Sequence, residues 1–312
     1  MTAGISDTPE APQGIASDAL ARTLLESGAR RIAFLGLAKN VGKTTALVAI
    51  LASLHRRGIA AGATSAGRDG EAYDAITGEP KPRFRIWRGQ LVASAASTFD
   101  SASFPSAEIA TLDFPTRFGP IMLRRADGDG ELEIIGPSTV TQLAKAAGAL
   151  EAAGAEVVLL DGAIGRRAFA CGRLADGVVL AVGMAAGESL DAVLSAARGA
   201  LELIRLGPAP AGAEVRAVDG ALTGAMLRDR PPRRGETLVA QDFTAIFLSP
   251  EERRALGQEG VALAVREPAR LLAVTVNPTA PARPPYPAER FHQAVAAAAS
   301  PAPVFDLVAG IR

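Results

Sequence analysis

Between Gly28 and Gly58 the hydrophobic pattern changes period once. The run from Ile32 to Leu37 carries no polar side chain, as a strand buried on both faces requires. Before it, Ser17 to Ser27 reads as a short helix capped by Ser17 and stopped at Gly28. From Lys43 onward Leu47, Ile50, Leu51 and Leu54 recur at helical spacing, and Gly58 stands where a helix closes on a left-handed residue. A second apolar strand, Ile59 to Thr64, follows. Strand, loop, helix, strand predicts the opening of a doubly wound, mostly parallel α/β sheet.

From Gly78 to Ile135 the pattern breaks into short β-like pieces: Arg83 to Trp87, Gly119 to Arg125 and Glu131 to Ile135, the last two separated by Asp127-Gly-Asp-Gly130. This stretch, about 78–135, is expected to be a β-rich, mostly antiparallel insertion. The α/β rhythm returns with Ser138 as a cap, Val140, Leu143, Ala147 and Leu150 on one helix face, Gly154 as the stop and a strand from Glu156 to Leu160. A strand at Gly177 to Val182 and a helix from about Glu188 to Leu206 continue it. Pro208 to Gly212 reads as a linker into a second inserted or appended α/β segment, about 210–268, with strands near Val215 to Val218 and Ala245 to Leu248 and a helix from Pro250 to Leu256. Beyond it come an apolar strand, Leu271 to Val276, an extended Pro-rich stretch from Pro278 to Pro287, a helix near Ala288 to Ala299 and a last strand at Val304 to Val308. Residues 1–16 are expected to be a disordered tail and 17–312 one domain carrying these insertions.

Composition narrows the class. With 48% apolar residues over 312 positions the chain can bury a large core, and the 4% aromatic share leaves Leu, Val, Ile and Ala to fill it. Basic and acidic residues balance at 33 each, so no global field favours nucleic acid or an anionic membrane. Cys171 has no disulfide partner, and with only His55 and His292 beside it there is no zinc constellation, which fits a reducing cytoplasm. The first 21 residues hold no Lys or Arg, the wrong opening for a signal or transit peptide, and no apolar run reaches membrane-span length.

Lysine is scarce, yet two of the four, Lys39 and Lys43, fall in one short loop after the first strand. A strand-to-helix loop binds phosphate because free backbone N–H groups and the helix N-terminus converge on one point, with a Lys adding a point charge. In Gly36-Leu-Ala-Lys-Asn-Val-Gly-Lys-Thr-Thr45, the residues Gly36, Lys39, Asn40, Val41, Gly42, Lys43, Thr44 and Thr45 form the candidate cofactor-binding set. Lys43 is placed for the β- and γ-phosphates and for catalysis, Thr44 for Mg²⁺ and Thr45 for the α-phosphate. Five residues separate Gly36 from Gly42, where the common P-loop has four, and in this the loop resembles that of dethiobiotin synthetase. Lys39 stands one position from the second loop lysine of the related MinD-type ATPases, and a solvated charge is the other reading.

Val157-Val-Leu-Leu-Asp161 delivers a carboxylate to the same sheet edge, where Asp161 is expected to hold Mg²⁺ directly or through water. In Thr64-Ser-Ala-Gly-Arg-Asp-Gly-Glu71, Arg68, Asp69 and Glu71 are candidates for a phosphate clamp, a water-orienting catalytic carboxylate and a second metal ligand, or else a solvated polar turn. Asn277 sits where related folds read the base, although Asn-Pro also starts ordinary turns. The absence of an Asn-Lys-x-Asp signature favours ATP over GTP. Arg166 and Arg167 lie near the phosphates, near a partner, or simply on the surface.

Taken in order, the loop, Thr64 to Glu71 with Thr77-Gly-Glu-Pro-Lys-Pro82 after it, Asp161-Gly-Ala and Val274-Thr-Val-Asn-Pro278 resemble the P-loop subunit of the lysine 5,6-aminomutase reactivases, within the dethiobiotin synthetase/MinD-like group. The resemblance spans about residues 30–308. It implies an ATPase using ATP and Mg²⁺, a MutS-like ATPase subunit as partner, and an adenosylcobalamin aminomutase as client. No Asp-x-His-x-x-Gly cobalamin motif surrounds either histidine, so the chain is expected to act on such an enzyme and not to be one. Rival readings are a synthetase resembling dethiobiotin synthetase, which has a lysine near Thr64 to Arg68 that this chain lacks, and a nucleotide-sensing partner protein.

Overall fold

The computed structural model describes residues 14–66, 83–163 and 174–312. The first part of the chain forms α1 (Ile15–Glu26), β1 (Arg31–Gly36), α2 (Lys43–Arg56) and β2 (Ala61–Ser65). There follow β3 (Phe84–Ile86), β4 (Leu91–Ala95), α3 (Ala96–Asp100), β5 (Ser106–Thr116), β6 (Gly119–Ala126) and β7 (Gly130–Leu132). Next come α4 (Val140–Ala152), β8 (Val157–Ala163), β9 (Gly177–Gly183) and α5 (Leu190–Ile204). The remainder forms β10 (Glu214–Ala217), β11 (Leu222–Thr223), α6 (Gly224–Asp229), β12 (Glu236–Ala240), β13 (Ile246–Phe247), α7 (Pro250–Gln258), β14 (Ala262–Val265), β15 (Leu271–Asn277), α8 (Ala288–Ala299) and β16 (Val304–Asp306).

Alternation along β1 divides the core in two. Ala33 and Leu35 enter one buried cluster, Ile32 and Phe34 the other. A strand apolar on both faces must be covered on both. α1 and α2 cover the side of Phe34, while α4, α5 and α8 cover the side of Leu35. The sheet between them has nine strands in the order β16-β15-β9-β1-β8-β2-β4-β6-β5. It is parallel from β16 to β4, and β6 and β5 add to it antiparallel. This is an α/β fold with a large, mostly parallel central sheet.

Within 78–135, β4, β6 and β5 thus continue the main sheet, and β3 pairs antiparallel with β7 beside it. The two segments flanking Asp127-Gly-Asp-Gly130 therefore join different sheets. Within 210–268, β10, β12 and β14 form a small parallel sheet with its own core of Leu222, Leu238, Ile246, Leu248 and Leu256.

Helix ends largely follow the sequence, with starts at Lys43, Pro250 and Ala288 as read. Gly58, at φ 69°, donates to the His55 carbonyl and Ile59 donates to that of Leu54, which is the Schellman closure. Gly154 and Ala155 repeat it on Glu151 and Leu150. Two caps need correction. α1 begins at Ile15, and Ser17 lies inside it, its hydroxyl accepting from the Gly14 N–H and donating to the Gly14 carbonyl. The cap of α4 is Thr139, whose Oγ1 accepts from Gln142 N–H at 3.3 Å, and not Ser138. Neighbouring Ser and Thr compete for one cap, and the backbone that turns into the helix decides between them. Among the described residues no helix is long and apolar enough to cross a membrane.

Candidate functional site

Parallel strands place their C-terminal ends on one edge, and there the fold gathers the sequence-predicted groups. β1 lies between β8 and β9, with Phe34 in register with Asp161 and Gly36 with Ala181. Ser65 of β2 flanks Asp161 on the far side, and Asn277 of β15 stands opposite Gly183 of β9.

The loop from β1 to α2 turns on a buried residue. Val41 is 2% exposed and is wedged between two glycines. A Cβ on Gly36 would fall 2.9 Å from Val41 Cγ2, and one on Gly183 only 2.7 Å from Val41 Cα. Neither position can carry a side chain without moving the loop. Asn40 adopts φ 59° and Gly42 φ 87°, so left-handed residues bracket the wedge; Asn and Gly are the types that tolerate this. Leu37 N–H donates to the Ala181 carbonyl at 3.1 Å, securing the loop's start. Ala38, Lys39 and Asn40 form its exposed rim.

Gly42 is also the N-cap of α2, and the helical ladder begins with Ala46 N–H donating to its carbonyl at 2.9 Å. The amides of Lys43, Thr44 and Thr45 precede that bond and belong to the donors a helix start leaves over. No acidic side chain in the first turn offsets the positive end of the helix. Lys43 adds a full charge: its Nζ lies 2.7 Å from Asp161 Oδ1. Asp161 is only 4% exposed, so this ion pair holds a carboxylate that is otherwise shielded from water. The backbone carbonyl of Asp161 accepts from Ala66 N–H at 2.9 Å, which ties the end of β2 to the same point.

Asn277 reaches the loop from the other side. Its Nδ2 donates to the Asn40 carbonyl at 3.3 Å, and its Cβ sits 3.0 Å from where a Cβ on Gly42 would be. Of the predicted set, then, Gly36, Lys39, Asn40, Val41, Gly42, Lys43, Thr44, Thr45, Asp161 and Asn277 share one sheet edge. Arg68, Asp69, Glu71, Arg166 and Arg167 lie outside the described residues.

Three neighbours were not singled out from sequence. Gly183 and Gly136 admit close backbone passage, the latter against the Ser65 carbonyl, and Arg283 donates to the carbonyls of Met184, Gly187 and Glu188. A glycine ending an apolar strand is a signal for the first; the others depend on strand order. Among the described residues no three His, Cys, Asp or Glu side chains converge as a metal site. The arrangement sets the free amides at the start of α2 and the Lys43 ammonium beside the buried Asp161 carboxylate. Compared with family models, with curated proteins and with solved structures, the chain matches none.

Proposed function

We propose that this chain is a P-loop ATPase that binds Mg·ATP between β1 and α2, and that it serves as the nucleotide-driven subunit of a reactivating chaperone for an adenosylcobalamin-dependent aminomutase. The observation that carries the nucleotide reading is the Lys43–Asp161 pair at 2.7 Å, set at the start of α2 with the carboxylate buried. The amides of Lys43, Thr44 and Thr45 bind phosphate oxygens, and Lys43 turns from Asp161 to the β- and γ-phosphates. Thr44 and Asp161 are the groups suited to Mg²⁺, which takes one or two carboxylates together with phosphate oxygens and water. When bound, Mg²⁺ neutralises charge on the phosphates. Asp161, once Lys43 had left it, would hold the metal directly or through water.

The reactivase role is supported by the order of the four sequence segments. ATP and ADP states must differ in affinity for the client, because a ligand shifts an equilibrium only by its differential affinity. Two measurements test the proposal. Calorimetric titration should show Mg·ATP binding that Lys43→Ala weakens roughly a hundredfold in a folded protein, the scale of losing a phosphate-pairing cation in a desolvated cradle. Recovery of a turnover-inactivated aminomutase, with ATP, Mg²⁺, fresh cofactor and a MutS-like subunit, should require this chain and its Lys43. Unchanged affinity in the variant rejects the nucleotide site; recovery without the chain rejects the role alone.

A further inference from the structure

We infer that Asn277 is a positioning residue that holds the β1–α2 loop in its phosphate-binding shape and does not read the nucleotide base. The inference rests on the nucleotide reading proposed for the same edge. Asn277 ends β15, whose neighbour β9 separates it from the strand that carries the loop. Thr279 N–H can only donate, so the Asn277 atom 3.0 Å from it must be Oδ1, which fixes the orientation of the amide. The Thr279 hydroxyl donates to the same oxygen at 2.7 Å. Both acceptor sites of the side chain are therefore occupied. One of the two N–H donors goes to the Asn40 carbonyl. An asparagine that reads adenine needs an acceptor and a donor together. This one has a single donor left.

What the amide does hold is the part of the loop that would otherwise relax. Asn40 and Gly42 are the two left-handed residues on either side of the Val41 wedge. Asn277 hydrogen-bonds the first and packs its Cβ against the second. From the opposite side, Gly183 at the end of β9 admits the backbone of Val41. Arg283 joins these two supports, since it follows the Thr279 turn and donates to the carbonyls of Met184 at 2.6 Å, Gly187 at 2.9 Å and Glu188 at 3.2 Å, just beyond β9. The loop is thus gripped by two neighbouring strands whose ends are bound to each other, and the amides of the cradle keep their direction only while that grip lasts.

The test is calorimetric titration of the full chain with Mg·ATP, Mg·GTP and the base-free probe Mg·tripolyphosphate, with thermal melts confirming that each variant is folded. Asn277→Ala should weaken all three by the same factor, roughly tenfold to a hundredfold, leaving the ATP-to-GTP ratio unchanged, because misplacement of the cradle does not depend on the base. Asn277→Asp keeps the acceptor for Thr279 but points an oxygen at the Asn40 carbonyl. It should lose at least as much, and its titrations decide the matter if the alanine variant does not fold. A change confined to the ATP-to-GTP ratio, with tripolyphosphate unaffected, overturns the inference and makes Asn277 a base reader. Unaltered affinity for all three also overturns it. A wild-type chain that binds none of the three overturns the nucleotide reading itself, an outcome distinct from either of these.

Discussion

Lys43 and Asp161 hold opposite charges 2.7 Å apart, the lysine partly exposed and the carboxylate buried. Removing one charge therefore has two effects of opposite sign on an incoming polyphosphate. In Asp161→Asn the carboxylate no longer competes for Lys43 and no longer repels phosphate, so ATP without metal should bind as well as to wild type or slightly better. The amide is a poorer partner for Mg²⁺ or its water than a carboxylate, so Mg·ATP should bind roughly tenfold more weakly or worse. Titrations with Mg²⁺ and with EDTA separate the two. Equal loss in both would assign Asp161 a purely structural part. The residues of the loop were legible as one group because they adjoin in sequence. Arg283 was not, since it reaches the end of β9 only because β15 is placed beside that strand.

At the scale of elements, the stops at Gly58 and Gly154 were legible because a left-handed terminal residue leaves glycine few substitutes. The longest strand, β5, was not. It lies at the sheet edge, half-buried on one face through Ala110, Leu112 and Phe114, and carries register shifts at Glu108/Ala110 and Leu112/Pro115. Edges broken in this way lose the apolar run by which central strands are found. β12 and β14 are too short, at Glu236–Ala240 and Ala262–Val265, to show a period. A link between elements gives a pH prediction. Arg31, at the start of β1, donates to Glu151 near the end of α4 through Nε at 2.9 Å and Nη2 at 2.7 Å. That hydrogen bonding holds the Glu151 carboxyl below its ordinary 4.5. A depressed carboxylate adds stability above its unfolded value and loses it as pH falls through the folded one. Glu151→Gln should therefore melt lower than wild type at pH 7, by about 0.5–1 kcal/mol for a partly exposed pair. The gap should close as pH falls below the glutamate range. A pH-independent gap would show that the pair's charge is not its contribution.

For the whole molecule, the two-sided core was legible in the fully apolar β1, and the segment at about 210–268 was set off by its linker, whereas the pairing of its short strands into a parallel sheet over a separate cluster was not. That sheet has its own apolar cluster and meets the main body at the end of α5, where Leu203, and Leu206 just beyond the helix, pack against it. The polar fastening is Arg253 of α7, only 7% exposed. It donates to the Leu248 carbonyl at 2.8 Å within its own unit, and to the Gly199 carbonyl at 3.2 Å and Glu202 at 3.0 Å on α5. One side chain therefore spans both bodies. Arg253→Ala removes these charge-assisted bonds and the packed stem, a loss of about 2–4 kcal/mol, and it falls on the joint instead of on either core. Each body keeps its own cluster, so the small sheet should open first, as units with separate cores do. Hydrogen exchange should quicken in β10, β12 and β14 while the amides of β1 and β8 keep their protection, and the Lys43–Asp161 edge should bind Mg·ATP as before. Loss of protection in β1 together with β12 would mean that the two sheets fold as one unit and that the fastening at Arg253 is not a joint.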